Sequence, residues 1–141
     1  MKLPAPRDQL AGCVWLPRIL TKARWFTAGS LEPDYAARFG HASGVDGQFL
    51  AFFALTRDDL LAVGGLGDAE VAAWFAARPE AGDGGSRIAE WNHIAVNLGR
   101  TGFPMAERLP AGLETTYAHL KGRGLETVFA VLEADESVMN S

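Results

Sequence analysis

The run Leu16-Pro17-Arg18-Ile19-Leu20-Thr21-Lys22-Ala23-Arg24-Trp25-Phe26-Thr27-Ala28-Gly29 constrains this chain more than any other, because it is punctuated as a helix at both ends. Pro17 falls in the first turn, where a missing N–H loses no partner, and Gly29 follows the last turn, where a left-handed residue stops a helix. Leu16, Ile19, Leu20, Ala23 and Phe26 share one face, which predicts burial. Arg18, Lys22 and Trp25 share another. Two cations four residues apart on a helix repel each other unless an anion lies between them. The basic face therefore calls for a counter-charge from elsewhere in the chain or from a ligand.

A chain of 141 residues suits one domain and buries roughly two-thirds of its unfolded surface. Its 48% apolar and 21% charged residues are those of a folded globular protein. The lone Cys13 precludes an internal disulfide. No apolar run approaches the ~18 residues of a membrane span. Pro4, Pro6, Arg7, Asp8 and Gln9 interrupt the start, where a secretory signal requires an apolar core. The expectation is one helical domain over 1–141 in a cytoplasmic protein without a membrane segment, with 1–5 and 137–141 as loose ends. The net charge of −4 is unevenly spread. Residues 1–25 hold Lys2, Arg7, Arg18, Lys22 and Arg24 against Asp8 alone, whereas Glu126, Glu133, Asp135 and Glu136 close the chain without a basic residue. An acidic whole protein opposes a polyanion, so nucleic acid is not an expected partner.

Further along, Arg7 to Ala11 reads as one helical turn, and the segment through Pro33 and Gly40-His41-Ala42-Ser43-Gly44 as a long irregular connection with a short helix at 35–39. Asp46 reads as the N-cap of a helix over 48–55, whose Phe49, Phe52 and Phe53 repeat at three and four. Thr56-Arg57-Asp58-Asp59 resembles a capping box that starts a short helix ended by Gly64-Gly65. Asp68 caps a helix over 69–78 with Val71, Trp74 and Phe75 inward, and Ser86 caps one over 87–98. A further helix is expected over 113–121, with Leu113, Tyr117 and Leu120 inward. Leu125, Val128, Phe129 and Leu132 fit a last helix, the alternative being a strand over 125–132 with no convincing second strand to pair with. The fold expected is all-α, a compact bundle of about six to seven short helices.

Chemistry is thinly signalled. Glu90 and His93 form one Glu-x-x-His pair, but on the helix they lie opposite the stripe of Ile88, Trp91, Ala95 and Leu98 and face water. A helical di-metal site needs two such pairs and further carboxylates. His41, His93 and His119, with Glu90, are the weak metal alternative, and they lack two ligands four apart on one helix. Cys13, followed by Val14 and Trp15, reads as a small core residue, and no Gly-x-Ser-x-Gly elbow occurs. The glycines at 82, 84 and 85 lack the Gly-Lys-Ser/Thr of a phosphate loop.

Taken together, Pro6-Arg7-x-x-Leu10-x-Gly12, Leu16-Pro17-Arg18-x-x-x-Lys22-x-Arg24 and Asp46-x-x-Phe49-x-x-Phe52 resemble a bacterial family known as domain of unknown function 5069. Asp68-x-Glu70-Val71-x-x-Trp74, Ile88-Ala89-x-Trp91 and Glu133-Ala134-Asp135-Glu136 continue the likeness. The resemblance implies a mostly helical, stand-alone domain and no reaction. The chain departs from the family in having Thr21 where an aspartate usually precedes the lysine, and Gly40 to Val45 where a Tyr-x-Cys-Pro-like run is usual.

The functional expectation is a non-catalytic domain that binds a protein partner or a small anion through Arg18, Lys22, Arg24 and Trp25, with Arg7 and Asp46 adjoining. A homodimer is one form of such partnership, since Trp25, Tyr35 and Phe39 exceed what the first helix needs for its core. No cofactor is implied. The competing class is a metal-assisted hydrolase using the scattered histidines.

Overall fold

A computed structural model describes residues 2–139. The chain is mostly α-helical, with one small antiparallel hairpin. It divides into two compact units, Met1–Trp91 and Asn92–Ser141. Among the described residues no helix is long and apolar enough to cross a membrane.

In the first unit, β1 (Gln9–Leu10) pairs with β2 (Cys13–Val14), Gln9 opposite Val14 and Leu10 opposite Cys13. The helical turn expected over 7–11 is thus a tight hairpin. Ala11 and Gly12 have φ of 54° and 72°, the left-handed pair that two-residue hairpins need, and an alanine gives little warning of it. Then come α1 (Leu16–Ala28), α2 (Pro33–Arg38), α3 (Val45–Phe52), α4 (Arg57–Val63) and α5 (Asp68–Ala76). Two short 3-10 turns lead into α6 (Ser86–Val96), which carries residues of both units. Gly29 ends α1 in the left-handed conformation, as its position implies. The Thr56 box is formed in full: its hydroxyl accepts from Asp59 N–H at 3.2 Å, and the Asp59 carboxylate accepts from Thr56 N–H at 2.9 Å.

Phe49, Phe53, Phe75 and Trp91 make the aromatic core of this unit. Phe53 meets Phe75 edge-on at 4.8 Å, and Phe49 meets Trp91 edge-on at 5.5 Å, the geometry ring quadrupoles favour. The Trp91 indole N–H donates to the Val14 carbonyl at 3.0 Å and so ties α6 to the hairpin. Leu20, Val63 and Val71 form a second buried cluster, with Leu10 and Trp74 packed on it.

Several expectations are corrected. Asp46 is not a cap: Gly44 holds that position, and Asp46 lies inside the first turn of α3 with its side chain buried. Phe26, expected to be buried, is 37% exposed, while Arg18 and Lys22 on the other face of α1 are buried. Asp68 is the first residue of α5, not its cap, and the Glu70 side chain accepts from Gly67 N–H instead. In the lead-in, Leu3 is buried and the Pro6 carbonyl accepts from Trp15 N–H at 3.1 Å.

The second unit contains α7 (Arg108–Glu114), a 3-10 turn at Ala118–Leu120 and α8 (Val128–Met139). The helix expected over 113–121 starts earlier and breaks. Pro110 sits in the first turn of α7, where proline is tolerated. The strand alternative over 125–132 gives way to α8, whose start is held by the Thr127 hydroxyl accepting from Ala130 N–H at 3.1 Å. Eight α-helices are thus formed among the described residues, against the six to seven expected. Of the two ends expected to be loose, Met1, Asn140 and Ser141 lie outside the described residues.

Phe49→Ala should cost about 3–5 kcal/mol through lost ring contacts and a residual cavity. Urea unfolding followed by far-UV circular dichroism checks this.

Candidate functional site

The basic face of α1 meets its counter-charge inside the protein. Asp46 is 2% exposed and accepts from Lys22 Nζ at 3.2 Å on each oxygen, from the Trp15 indole N–H at 2.8 Å and from Gly40 N–H at 3.0 Å. Burying a carboxylate costs several kcal/mol unless donors replace its water, and three donor groups do so here. The helix places Lys22 one turn after Arg18, and both cations gather on one ring. Lys22 Nζ lies 5.1 Å and Arg18 Cζ 5.2 Å from the Trp15 ring centroid, with Tyr35 5.9 Å from the Arg18 carbon. Arg18 also donates to the Pro4 carbonyl at 3.0 Å, which fastens the start of the chain to α1. Trp15 occupies this hub with φ at 74°, a conformation that costs a bulky residue about 1–2 kcal/mol and persists because the ring is held from several sides.

Arg24 lies further along α1 and does different work. Its Nε donates to the Gly64 carbonyl at 2.9 Å, one terminal nitrogen to the Leu66 carbonyl at 2.8 Å and the other to Asp68 at 2.7 Å. The fork thereby satisfies carbonyls left open after α4 and fixes the connection to α5. Trp25 is half-buried and Arg7 exposed. The structure thus brings Arg18, Lys22 and Asp46 together around Trp15, and places Arg24 in a separate clamp.

A further cation emerges that sequence reasoning missed. Gly40, held by Asp46, has φ at 73°, and the Arg57 stem crosses it so closely that a Cβ there would lie 3.1 Å from Arg57 Cδ. The guanidinium carbon of Arg57 then sits 4.5 Å from the Phe26 centroid and 5.2 Å from that of Phe39, rings that themselves meet at 5.5 Å. Arg57 makes no hydrogen bond or ion pair with the described residues. Its position within the capping-box run marks it only as the first residue of a helix, and its ring partners are distant in sequence.

The residues of the metal alternative are not assembled. His41 Nδ1 contacts Ser43, the His93 ring packs edge-on against Phe103, His119 Nε2 meets Asp135 at 2.8 Å, and Glu90 is exposed. Among the described residues no group of three or more His, Cys, Asp or Glu side chains is placed to hold a metal ion. Cys13 is fully buried, and desolvation pushes its thiol pKa above the ordinary range, which keeps it protonated and inert.

The profile described as Domain of unknown function (DUF5069) matches residues 2–138, and the chain belongs to that family. No curated protein and no solved structure matches the chain.

Asp46→Ala should destabilise the protein by about 3–5 kcal/mol, because it strands Lys22 in the interior and removes the acceptor of Trp15 and Gly40. Denaturant unfolding measures this. Cys13 should resist iodoacetamide in the native protein and react once guanidinium unfolds it, which mass spectrometry detects.

Proposed function

We propose that this chain is a helical binding domain whose ligand is a carboxylate-bearing segment of a protein partner, anchored at the end of α1 by Arg57. The single observation that supports this reading is the Arg57 guanidinium, held between Phe26 and Phe39 while none of its five N–H donors meets an acceptor among the described residues. A guanidinium is built to grip a carboxylate through two parallel hydrogen bonds, and stacking on rings removes the entropy cost of orienting it. Arginine and large aromatics are also the residues that anchor protein interfaces. Phe26, 37% exposed, supplies apolar surface beside the cation.

On this reading the basic face of α1 contributes in two layers. Asp46, paired with Lys22, holds Gly40 in place, and Gly40 seats the Arg57 stem. Arg24 keeps α4, which carries Arg57, fixed to α1.

A Glu-rich decapeptide titrated calorimetrically should bind the wild type and lose at least about tenfold in affinity to Arg57→Ala, with Arg57→Lys nearly as weak. Inorganic phosphate serves as the second arm. Tight phosphate binding with no peptide binding would replace the protein partner with a small anion. Equal peptide binding by wild type and Arg57→Ala would overturn the role of Arg57.

A further inference from the structure

The chain contains two Asp-Gly steps, Asp46-Gly47 and Asp83-Gly84, and the fold treats them oppositely. At such a step the backbone can attack itself: the amide nitrogen of the glycine reaches the aspartate carboxyl and closes a five-membered ring, and a residue without a Cβ hinders that approach least. Closure is opposed when the carboxyl is held by other partners or when packing fixes the backbone around it. At Asp46-Gly47 both restraints operate. The Asp46 carboxylate is buried and accepts from Lys22, the Trp15 indole and Gly40 N–H, and the step lies in the first turn of α3. Gly47 is wedged besides, since a Cβ on it would approach the Ala42 and His41 carbonyl oxygens to 2.5 and 2.6 Å.

Asp83-Gly84, in the 3-10 turn that leads into α6, is free of both. Asp83 is exposed, and its carboxylate makes no hydrogen bond or ion pair among the described residues. The turn is closed by Gly85 N–H, which donates to the Gly82 carbonyl at 3.1 Å, and by Ser86 N–H, which donates to the Asp83 carbonyl. These bonds pass over the Gly84 N–H, which meets no acceptor among the described residues. Gly84, with φ at 61°, and Gly85 border open space: a Cβ built on either meets nothing within 4 Å. Gly82, by contrast, is pinned, since a Cβ there would lie 2.7 Å from the Arg87 backbone nitrogen. The step thus joins an anchored residue before it to unconfined backbone after it, at a small, polar, exposed position where backbone change is tolerated.

We infer that Asp83 is a site of spontaneous isoaspartate formation, from which the fold shields Asp46. The Gly84 nitrogen attacks Asp83 Cγ, one carboxyl oxygen leaves as water with the amide proton, and the new N–Cγ bond completes a succinimide. A second water then adds at the main-chain carbonyl carbon of residue 83 and breaks its bond to the Gly84 nitrogen. The chain now runs through Cγ, and the former main-chain carbonyl is a free carboxylate. One water is released and one taken up, so no oxidant, metal or enzyme enters the balance. The backbone gains one methylene just ahead of α6. The ring-stacked Arg57 plays no part in this step.

The full-length chain, kept at neutral pH and body temperature for several weeks, is digested at mildly acidic pH and its peptides are read by electron-transfer fragmentation, which separates isoaspartate from aspartate. Isoaspartate should accumulate at 83 and stay absent at 46. The same incubation in guanidinium, which removes the fold, should produce it at both positions. Asp83→Glu should lose the signal at 83, because its longer side chain has to close a six-membered ring, and circular dichroism should show the variant folded. Asp83→Asn should yield isoaspartate at 83 faster than the wild type, since an amide releases ammonia more readily than a carboxylate releases water. Aspartate retained at 83 in the native chain after the unfolded chain has isomerised there, or isoaspartate at 46 and 83 of the native chain in equal measure, would overturn the assignment.

Discussion

The buried carboxylate of Asp46 is the interaction on which the first unit depends. It takes hydrogen bonds from Lys22 on α1, from the Trp15 indole just before α1 and from the backbone of Gly40 in the α2–α3 connection. Residues 15–22 and the stretch 40–46 are thereby held at one point, by donors of fixed geometry rather than by interchangeable apolar contacts. Such a centre contributes little net free energy when complete and a large penalty when broken. Its value lies in specifying one arrangement: Trp15 stays in a left-handed conformation, and Gly40 keeps the backbone on which Arg57 rests.

The charge pattern of α1 therefore has a layered meaning. A helix with Arg18 and Lys22 on one side looks like a surface helix, yet both side chains are interior, and a half-buried, ring-stacked cation comes instead from α4. Aromatic rings make this inversion possible. Trp15 lies against two cations and donates to the Asp46 carboxylate that pairs with Lys22, while Phe26 and Phe39 hold half-buried Arg57. Cation–ring contacts are worth most where water is excluded, which favours the interior pair in stability.

Much of the secondary structure was legible because its signals are local. The Thr56–Asp59 box, the Gly29 stop and the aromatic spacing of Phe49 and Phe53 operate within a turn or two, and the chain forms them where its residues say. The hairpin at 9–14 was illegible because Ala11 adopts a conformation that alanine disfavours, stabilised by tertiary packing. Family kinship was readable from motifs spread over the chain, and the profile match over 2–138 agrees with it. The candidate site was only half readable. Asp46 could be named as a neighbour of the basic helix, since an opposite charge was needed, but burial of the pair depends on Trp15 and Gly40, whose roles no spacing reveals. Arg57 gave no signal at all, because its surroundings are Phe26, Phe39 and Gly40, brought to it by the fold.

The contact between Gly40 and the Arg57 stem makes position 40 a fixed point of descent. A side chain acquired there meets a left-handed backbone and, at 3.2 Å, the Cβ that every residue but glycine carries at 57, so shortening Arg57 does not make room for it. Across the members of such a family, glycine is expected at 40 whatever stands at 57.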